Sequence, residues 1–141
     1  MNLQIDAHVD SRRSLLSETF KVFDVLSLYL PVTIRCRLLM RQTRILKNTG
    51  WDTELDKTIA DLWRDLHADL IKLKDISFPR QVFSTDDDAL CLNLHSDASS
   101  VCYGFAAYIK GSFGPRLLLA KAKTATVQAL TLPVLNFWVF I

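Results

Sequence analysis

The sequence predicts an α+β chain, three amphipathic helices followed by a three-stranded antiparallel meander, and three observations carry that prediction. Ile59, Leu62, Trp63, Leu66, Leu70 and Leu73 recur at helical spacing and make the longest apolar stripe in the chain. Leu90, Leu92 and Leu94 alternate with Cys91, Asn93, His95 and Asp97, a period of two that assigns each set to its own face of a strand. Two turn-forming stretches, Asp97-Ala98-Ser99-Ser100 and Lys110-Gly111-Ser112-Phe113-Gly114-Pro115, then separate three strand-forming runs.

In chain order, residues 1–10 are polar and are expected to be poorly tied down. From Ser11 to about Leu28, the apolar residues Leu15, Leu16, Phe20, Phe23 and Leu26 predict a first helix. Pro31 suits the first turn of a second helix, where a missing N–H costs nothing, and Ile34, Leu38, Ile45 and Leu46 then share one side. Arg37, Arg41, Arg44 and Lys47 flank that side. They read either as a basic stripe tracking a phosphate backbone or as a solvated helix face, and no aromatic or glycine-rich motif accompanies them to favour the first. Asn48-Thr49-Gly50 is expected to end this helix with Gly50 in a left-handed cap.

Thr53-Glu54-Leu55-Asp56 resembles a capping box for the third helix, whose stripe reads as a core face shared with the first two. His67, between Asp65 and Asp69, has no second ligand at metal spacing and reads as a surface histidine. Pro79 closes the helical half, Gln81-Val82-Phe83 is a short extended link, and Asp86, Asp87 and Asp88 read as a solvated loop. Consecutive carboxylates seldom converge on one cation without a glycine-bent loop. Val101–Ile109 and Arg116–Lys121 supply the second and third strands.

Composition limits the function. The 141 residues, half of them apolar, are ample for one core, and the formal net charge of +2 divides evenly. Residues 1–75 carry 12 basic and 11 acidic groups and residues 76–141 carry 5 and 4, so bulk charge gives no sign of nucleic-acid binding. Cys36, Cys91 and Cys102 lack Cys-x-x-Cys spacing and read as buried thiols in a reducing compartment. No signal peptide is evident at the start, and the apolar tail Leu135–Ile141 is too short to span a bilayer, so an intracellular protein without membrane contact is expected. No small-molecule substrate is suggested.

The ordered motifs then point to a family. Asp97-Ala98-Ser99 leading into Tyr103-Gly104, the strand to Ala120-Lys121-Ala122-Lys123, and Leu130-Thr131-Leu132-Pro133 resemble the start of the ribonuclease H-like domain in Bel/Pao retrotransposon polyproteins. Upstream, Ser14–Ser17, Val22–Leu26 and Leu30–Arg35 are similar to the segment linking reverse transcriptase to ribonuclease H in those elements. Trp51 and Ser77-Phe78-Pro79-Arg80 fall where that family has a tryptophan and an Ile-Pro-Arg element. Val25 and Ser27 depart from the Pro and Gly the family pattern puts there.

The resemblance implies residues 11–80 as a helical connection-like region and residues 81–141 as a truncated ribonuclease H-like domain, ending in a truncated helix. It also implies Mg²⁺-assisted phosphodiester hydrolysis in the intact family domain, by carboxylates holding two ions about 4 Å apart. Asp97 matches the first carboxylate. Where a Pro-Arg-Leu-Glu motif would supply the second, this chain reads Pro133-Val134-Leu135-Asn136, a neutral amide. The remaining aspartates are expected beyond Ile141. One carboxylate cannot hold two ions, so Asp97 reads as vestigial, as a metal ligand only if a complete site is supplied elsewhere, or simply as a turn-former of the hairpin.

The peptidase label attached to this family meets no support in the residues. There is no Asp-Thr-Gly or Asp-Ser-Gly loop, and His95, Ser96 and Asp97 are neighbours on one strand, which cannot form a relay. The reading is a degenerate fragment of a Bel/Pao polyprotein without activity or cofactor of its own, whose partners are the rest of the polyprotein or an RNA·DNA hybrid. A nucleic-acid- or protein-binding module built on the helical half is the alternative.

Overall fold

A computed structural model describes residues 4–45 and 50–125. Along the chain run α1 (Arg12–Phe20), α2 (Leu30–Ile45), α3 (Lys57–Lys72) with a 3₁₀ turn (Leu73–Asp75), then β1 (Cys91–Ala98), β2 (Cys102–Gly111) and β3 (Gly114–Thr124). The fold is α+β, as expected, and it divides into two compact units. One contains residues 1–23 and 31–77, the other residues 24–30 and 78–141.

The helical unit is built around α3. Ile59, Trp63, Leu66 and Leu70 are buried, and Leu73 continues the same face through the 3₁₀ turn. Leu62, at the margin of the stripe, stays 41% exposed. The helix begins three residues after the expected cap: Asp56, not Thr53, accepts the Thr58 N–H at 2.8 Å. Thr53 instead accepts the Gly50 N–H at 3.0 Å, so the Thr53-Glu54-Leu55-Asp56 stretch forms the turn before the helix. The helix end expected at Asn48-Thr49-Gly50 falls on residues 46–49, outside the described residues.

Pro31 stands in the first turn of α2 as expected, but the buried face is rotated from the expected one. Cys36, Leu39, Met40 and Thr43 are buried, at relative positions 0, 3, 4 and 7, whereas Ile45 is 47% exposed. A threonine and a cysteine line this face because their polar atoms are satisfied within the helix. Thr43 Oγ1 donates to the Met40 carbonyl at 2.8 Å, and Cys36 Sγ contacts the Val32 carbonyl at 3.7 Å. Of the three cysteines only Cys36 is buried, with its thiol pushed up to about 11 by desolvation; Cys91 is exposed and Cys102 half-buried. The expectation of three buried thiols therefore holds at one position. Asp69 of α3 ties the two helices by an ion pair to Arg35 at 2.7 Å, while also holding Lys72 at 3.2 Å.

The first helix is much shorter than its apolar spacing suggests. Ser11 and Ser14 cap its start reciprocally, and it ends at Phe20. The cause lies beyond it: both oxygens of Asp24 accept backbone N–H groups, from Leu28 at 2.8 Å and Tyr29 at 2.9 Å, which starts a new turn into α2. Ser27 takes φ +54°, which a continuous helix cannot contain. Phe20 and Phe23, expected on a core face, are 69% and 80% exposed.

The segment before α1 is held rather than loose. Ile5 and Val9 are buried, the Asp6 carbonyl accepts Trp63 Nε1–H at 3.1 Å, and His67 Nε2 lies 3.0 Å from the Ile5 carbonyl. Asp6 N–H donates to the buried carboxylate of Glu18 at 2.7 Å, which Lys21 neutralises at 2.7 Å. Leu55 N–H donates to Asp10 O at 2.8 Å, and Ser11 bridges Glu54. Polar composition concealed this, because the anchoring uses backbone groups and only two apolar side chains.

In the second unit the strands pair antiparallel in the order β1-β2-β3. Ser99, rather than Asp97, makes the β1–β2 turn. Its hydroxyl donates to the Cys102 carbonyl at 2.9 Å and accepts N–H groups of Val101 and Cys102, and its own N–H reaches the same carbonyl. The β2–β3 turn is Ser112-Phe113, closed by Gly114 at φ +75°. A bulge between Ala107 and Tyr108 shifts the β2–β3 register once. The segment 24–30 meets β3 at one point, where Ala120 N–H donates to the Leu26 carbonyl at 2.9 Å.

Of the acidic run, Asp87 is a strut and not merely a solvated charge. One carboxylate oxygen accepts Ser84 N–H at 2.9 Å, the other Ser112 N–H at 3.0 Å, joining the loop before β1 to the β2–β3 turn. Gly111 lies so close that a Cβ there would collide with the Asp87 carboxylate. Hydrogen bonding from Ser112, then from Ser84, holds the Asp87 carboxyl below its ordinary value. A carboxyl whose folded pKa is depressed contributes stability above its unfolded pKa of about 4 and loses it as pH falls through the folded value. The protection factor of the Ser112 amide, its exchange rate relative to an unstructured amide at the same pH, should therefore fall as acid protonates Asp87, and an Asp87→Asn chain should show the lower protection already at pH 7. Equal protection in both chains at pH 7 would show that Asp87 does not hold the turn.

Candidate functional site

Asp97 is the penultimate residue of β1, directly opposite Gly104 of β2, and Gly104 pairs with Ala122 of β3. That glycine is required by packing. A Cβ on it would stand 2.6 Å from the Lys121 carbonyl and 2.9 Å from the Ala122 Cβ, so any side chain would push β3 away beside the aspartate. The Asp97 carboxylate is exposed and accepts the N–H of Ala98 at 2.8 Å, and none of the described ion pairs includes it. Strand alternation puts Asn93 and His95 on its face, with Tyr108 on the same face of β2. The His95 ring meets Tyr108 edge-on at 5.8 Å between centroids. With the turn made by Ser99, the reading of Asp97 as the turn-former is corrected: it sits in the strand with its carboxylate turned to solvent.

Two Mg²⁺ ions need several converging carboxylates, and the described residues do not provide them. Among these residues no three of His, Cys, Asp and Glu come together in a way that could hold a metal. The only carboxylate of β1, β2 and β3 is Asp97. The described residues thus do not fit a magnesium pair, and no hydrolytic step is derived through one. Pro133-Val134-Leu135-Asn136, the stretch where the resemblance expects the second carboxylate, lies outside the described residues, as does the expected truncated helix.

Arg37, Arg41 and Arg44 fall on α2 at relative positions 0, 4 and 7, a spacing that keeps them on one side of the helix, with Arg37 and Arg44 exposed and Arg41 half-buried. Lys47 lies outside the described residues. The basic stripe and Asp97 belong to different units. His67, expected at the surface, is half-buried and spends Nε2 on the Ile5 carbonyl. An open depression in the helical unit is lined by His8, Asp10, Asp52, Glu54 and Lys57, and Asp52 is already paired with Arg13 at 2.6 Å. No described helix is long and apolar enough to cross a membrane.

Two features beside Asp97 were not read from the sequence, the packing role of Gly104 and the His95–Tyr108 contact. Gly104 carried a signal, being a glycine in the middle of a strand-forming run, which marks close backbone approach. The His95–Tyr108 contact depends on register, and no local pattern reveals it.

An α+β chain whose antiparallel meander carries an aspartate at the end of its first strand has the opening elements of a ribonuclease H-like sheet. The chain belongs to the Pao retrotransposon-like RNaseH-like domain family, whose model matches residues 11–139. The match runs through the helical unit as well as the sheet. No curated protein and no solved structure matches the chain.

Proposed function

We propose that this chain is a degenerate piece of a Bel/Pao retroelement polyprotein, joining the reverse transcriptase connection to a ribonuclease H-like sheet and cleaving nothing by itself. The observation that carries the reading is chemical. Asp97 stands without a second carboxylate among the described residues of its sheet, and Asn136 occupies the place where the resemblance calls for glutamate. A lone carboxylate gives Mg²⁺ little affinity and leaves a second ion unheld. In this reading the partner is the rest of a polyprotein, and the location is intracellular. Mg²⁺ is a cofactor only of an intact domain, in which Asp97 would be one ligand.

The test is incubation with a labelled RNA·DNA hybrid and Mg²⁺. The expected result is no cleavage above buffer, with Asp97→Asn indistinguishable from the unaltered chain. Cleavage that requires Mg²⁺ and disappears in Asp97→Asn would overturn the reading and imply carboxylates supplied by another chain. The same hybrid tests a second reading, motivated by the spacing of Arg37, Arg41 and Arg44 on α2. Binding that weakens with salt, and whose log–log salt slope falls by about 0.9 for each phosphate contact removed in the triple alanine chain, would establish a nucleic-acid-binding module.

A further inference from the structure

The loop before β1, residues 78–90, forms neither helix nor strand. Within it stands Ser84-Thr85-Asp86-Asp87-Asp88, two hydroxyls followed by three carboxylates, and residues 81–109 hold no Lys or Arg. None of the described ion pairs includes these aspartates. The loop does not present its groups equally. Ser84 is half-buried and engaged: its N–H donates to the Asp87 carboxylate at 2.9 Å, and its hydroxyl accepts the Asp86 N–H at 3.3 Å. Asp87 is half-buried, with one oxygen on Ser84 and the other on Ser112. Thr85 is exposed, and its hydroxyl meets the Asp86 carboxylate at 3.5 Å, too long for a strong hydrogen bond. Asp86 and Asp88, one and three residues beyond Thr85, are exposed as well.

We propose that Thr85 is a phosphorylation site for a protein kinase that selects acidic sequences, and that a phosphate there releases the Asp87 strut. Such an enzyme recognises carboxylates beyond the acceptor by complementary charge, and Asp86 and Asp88 are the two that the loop leaves open to it. Thr53 shows that spacing alone does not make the site. It too is exposed and is followed at the same positions by Glu54 and Asp56. Its surroundings are fixed, however: Leu55 N–H donates to the Asp10 carbonyl at 2.8 Å, Glu54 bridges Ser11, and Asp56 caps α3 through the Thr58 N–H. Drawing Thr53 into an extended form would undo the start of α3, whereas around Thr85 only a turn has to open. In the transfer, the Thr85 hydroxyl oxygen attacks the γ-phosphorus of ATP. The bond from that phosphorus to the β,γ-bridging oxygen breaks, ADP leaves with the electron pair, and the hydroxyl proton passes to a base of the kinase. The phosphate brings a charge of about −1.5 to −2 to within two residues of Asp87. It repels the carboxylate of the strut, and its oxygens compete for the Ser84 N–H that the strut uses.

The test is phosphate transfer from labelled ATP to the full chain by a casein-type kinase that selects acidic substrates, with the product mapped by peptide mass spectrometry. The expected result is a single phosphate on Thr85. Thr85→Ser should keep the transfer and Thr85→Ala abolish it. Asp86→Asn combined with Asp88→Asn should slow it by about tenfold or more, because the complementary charge is gone. Amide protection of β2 should stay unchanged in each of these chains, which shows that the sheet is still folded. In the phosphorylated chain, protection of the Ser112 amide should fall as it does in Asp87→Asn. Absence of transfer, transfer to Ser84 or Thr53 in place of Thr85, or a rate that the two asparagines leave unchanged would overturn the site. Full Ser112 protection in the phosphorylated chain would overturn the release of the strut.

Discussion

Trp63→Ala should unfold the helical unit or bring it to the edge of unfolding. Trp63 is fully buried in the middle of α3, and its indole N–H holds the Asp6 carbonyl at 3.1 Å. Truncating a buried aromatic to alanine costs roughly 3–5 kcal/mol, and a whole domain is stable by only about 5–15 kcal/mol. The substitution also frees the segment 4–10, whose carbonyls at Ile5 and Asp6 are held by α3. Urea unfolding followed by far-UV circular dichroism should show the midpoint falling sharply or the transition vanishing. Trp63→Phe separates the two contributions. It keeps most of the apolar volume and removes the donor, so its loss should be nearer the about 1–3 kcal/mol of a buried carbonyl left unpaired. A Trp63→Ala midpoint within error of the parent would mean that α3 is not the centre of this unit.

Gly104→Val should break the sheet at the strand that holds it together. β2 is central, and at Gly104 a Cβ would lie 2.6 Å from a backbone carbonyl oxygen of β3, closer than real Cβ atoms come. A backbone atom cannot swing aside as a side-chain tip can, so β2 and β3 must separate locally. Overpacking of this kind costs typically about 1–3 kcal/mol, and here the loss of ladder hydrogen bonds adds to it. Amide protection at Phe105, Ala106 and Ala107 should fall by at least tenfold, while the helical unit, which shares none of these contacts, keeps its own. Gly104→Ala meets the same atoms and should fall in the same direction by less. Unchanged protection in Gly104→Val would show that β3 can yield, and that the glycine is not what sets the strand spacing beside Asp97.

Much of the fold was legible because it rests on periodicity. The α3 stripe, the alternation through Leu92 and Leu94, and the turn residues flanking β2 each dictate an element by local spacing alone. Where expectation and structure part, a polar contact has overridden a pattern. The Asp24 carboxylate draws two N–H groups and ends the apolar periodicity of α1 early. Asp56 outcompetes Thr53 for the start of α3. Met40 and Val32 carbonyls satisfy Thr43 and Cys36, allowing α2 to bury a face that hydropathy alone does not choose. Capping groups and helix faces compete within a few residues of one another, and the margins between them are about 1 kcal/mol, too small for composition to decide.

The sequence by itself determined the class of chain, α+β, the aspartate at the end of the first strand and the family to which the motifs belong. It also shows a neutral amide, Asn136, at the position where the resemblance calls for a second carboxylate. Only the tertiary structure decided that the Asp97 carboxylate faces solvent while Ser99 makes the turn, that Asp87 ties a loop to the second hairpin, and that residues 4–10 are anchored by Trp63 and His67. The physical reason is one of range. Side-chain identity and spacing fix local periodicity, whereas a backbone carbonyl 57 residues from its donor is chosen only when the packed chain brings the two together.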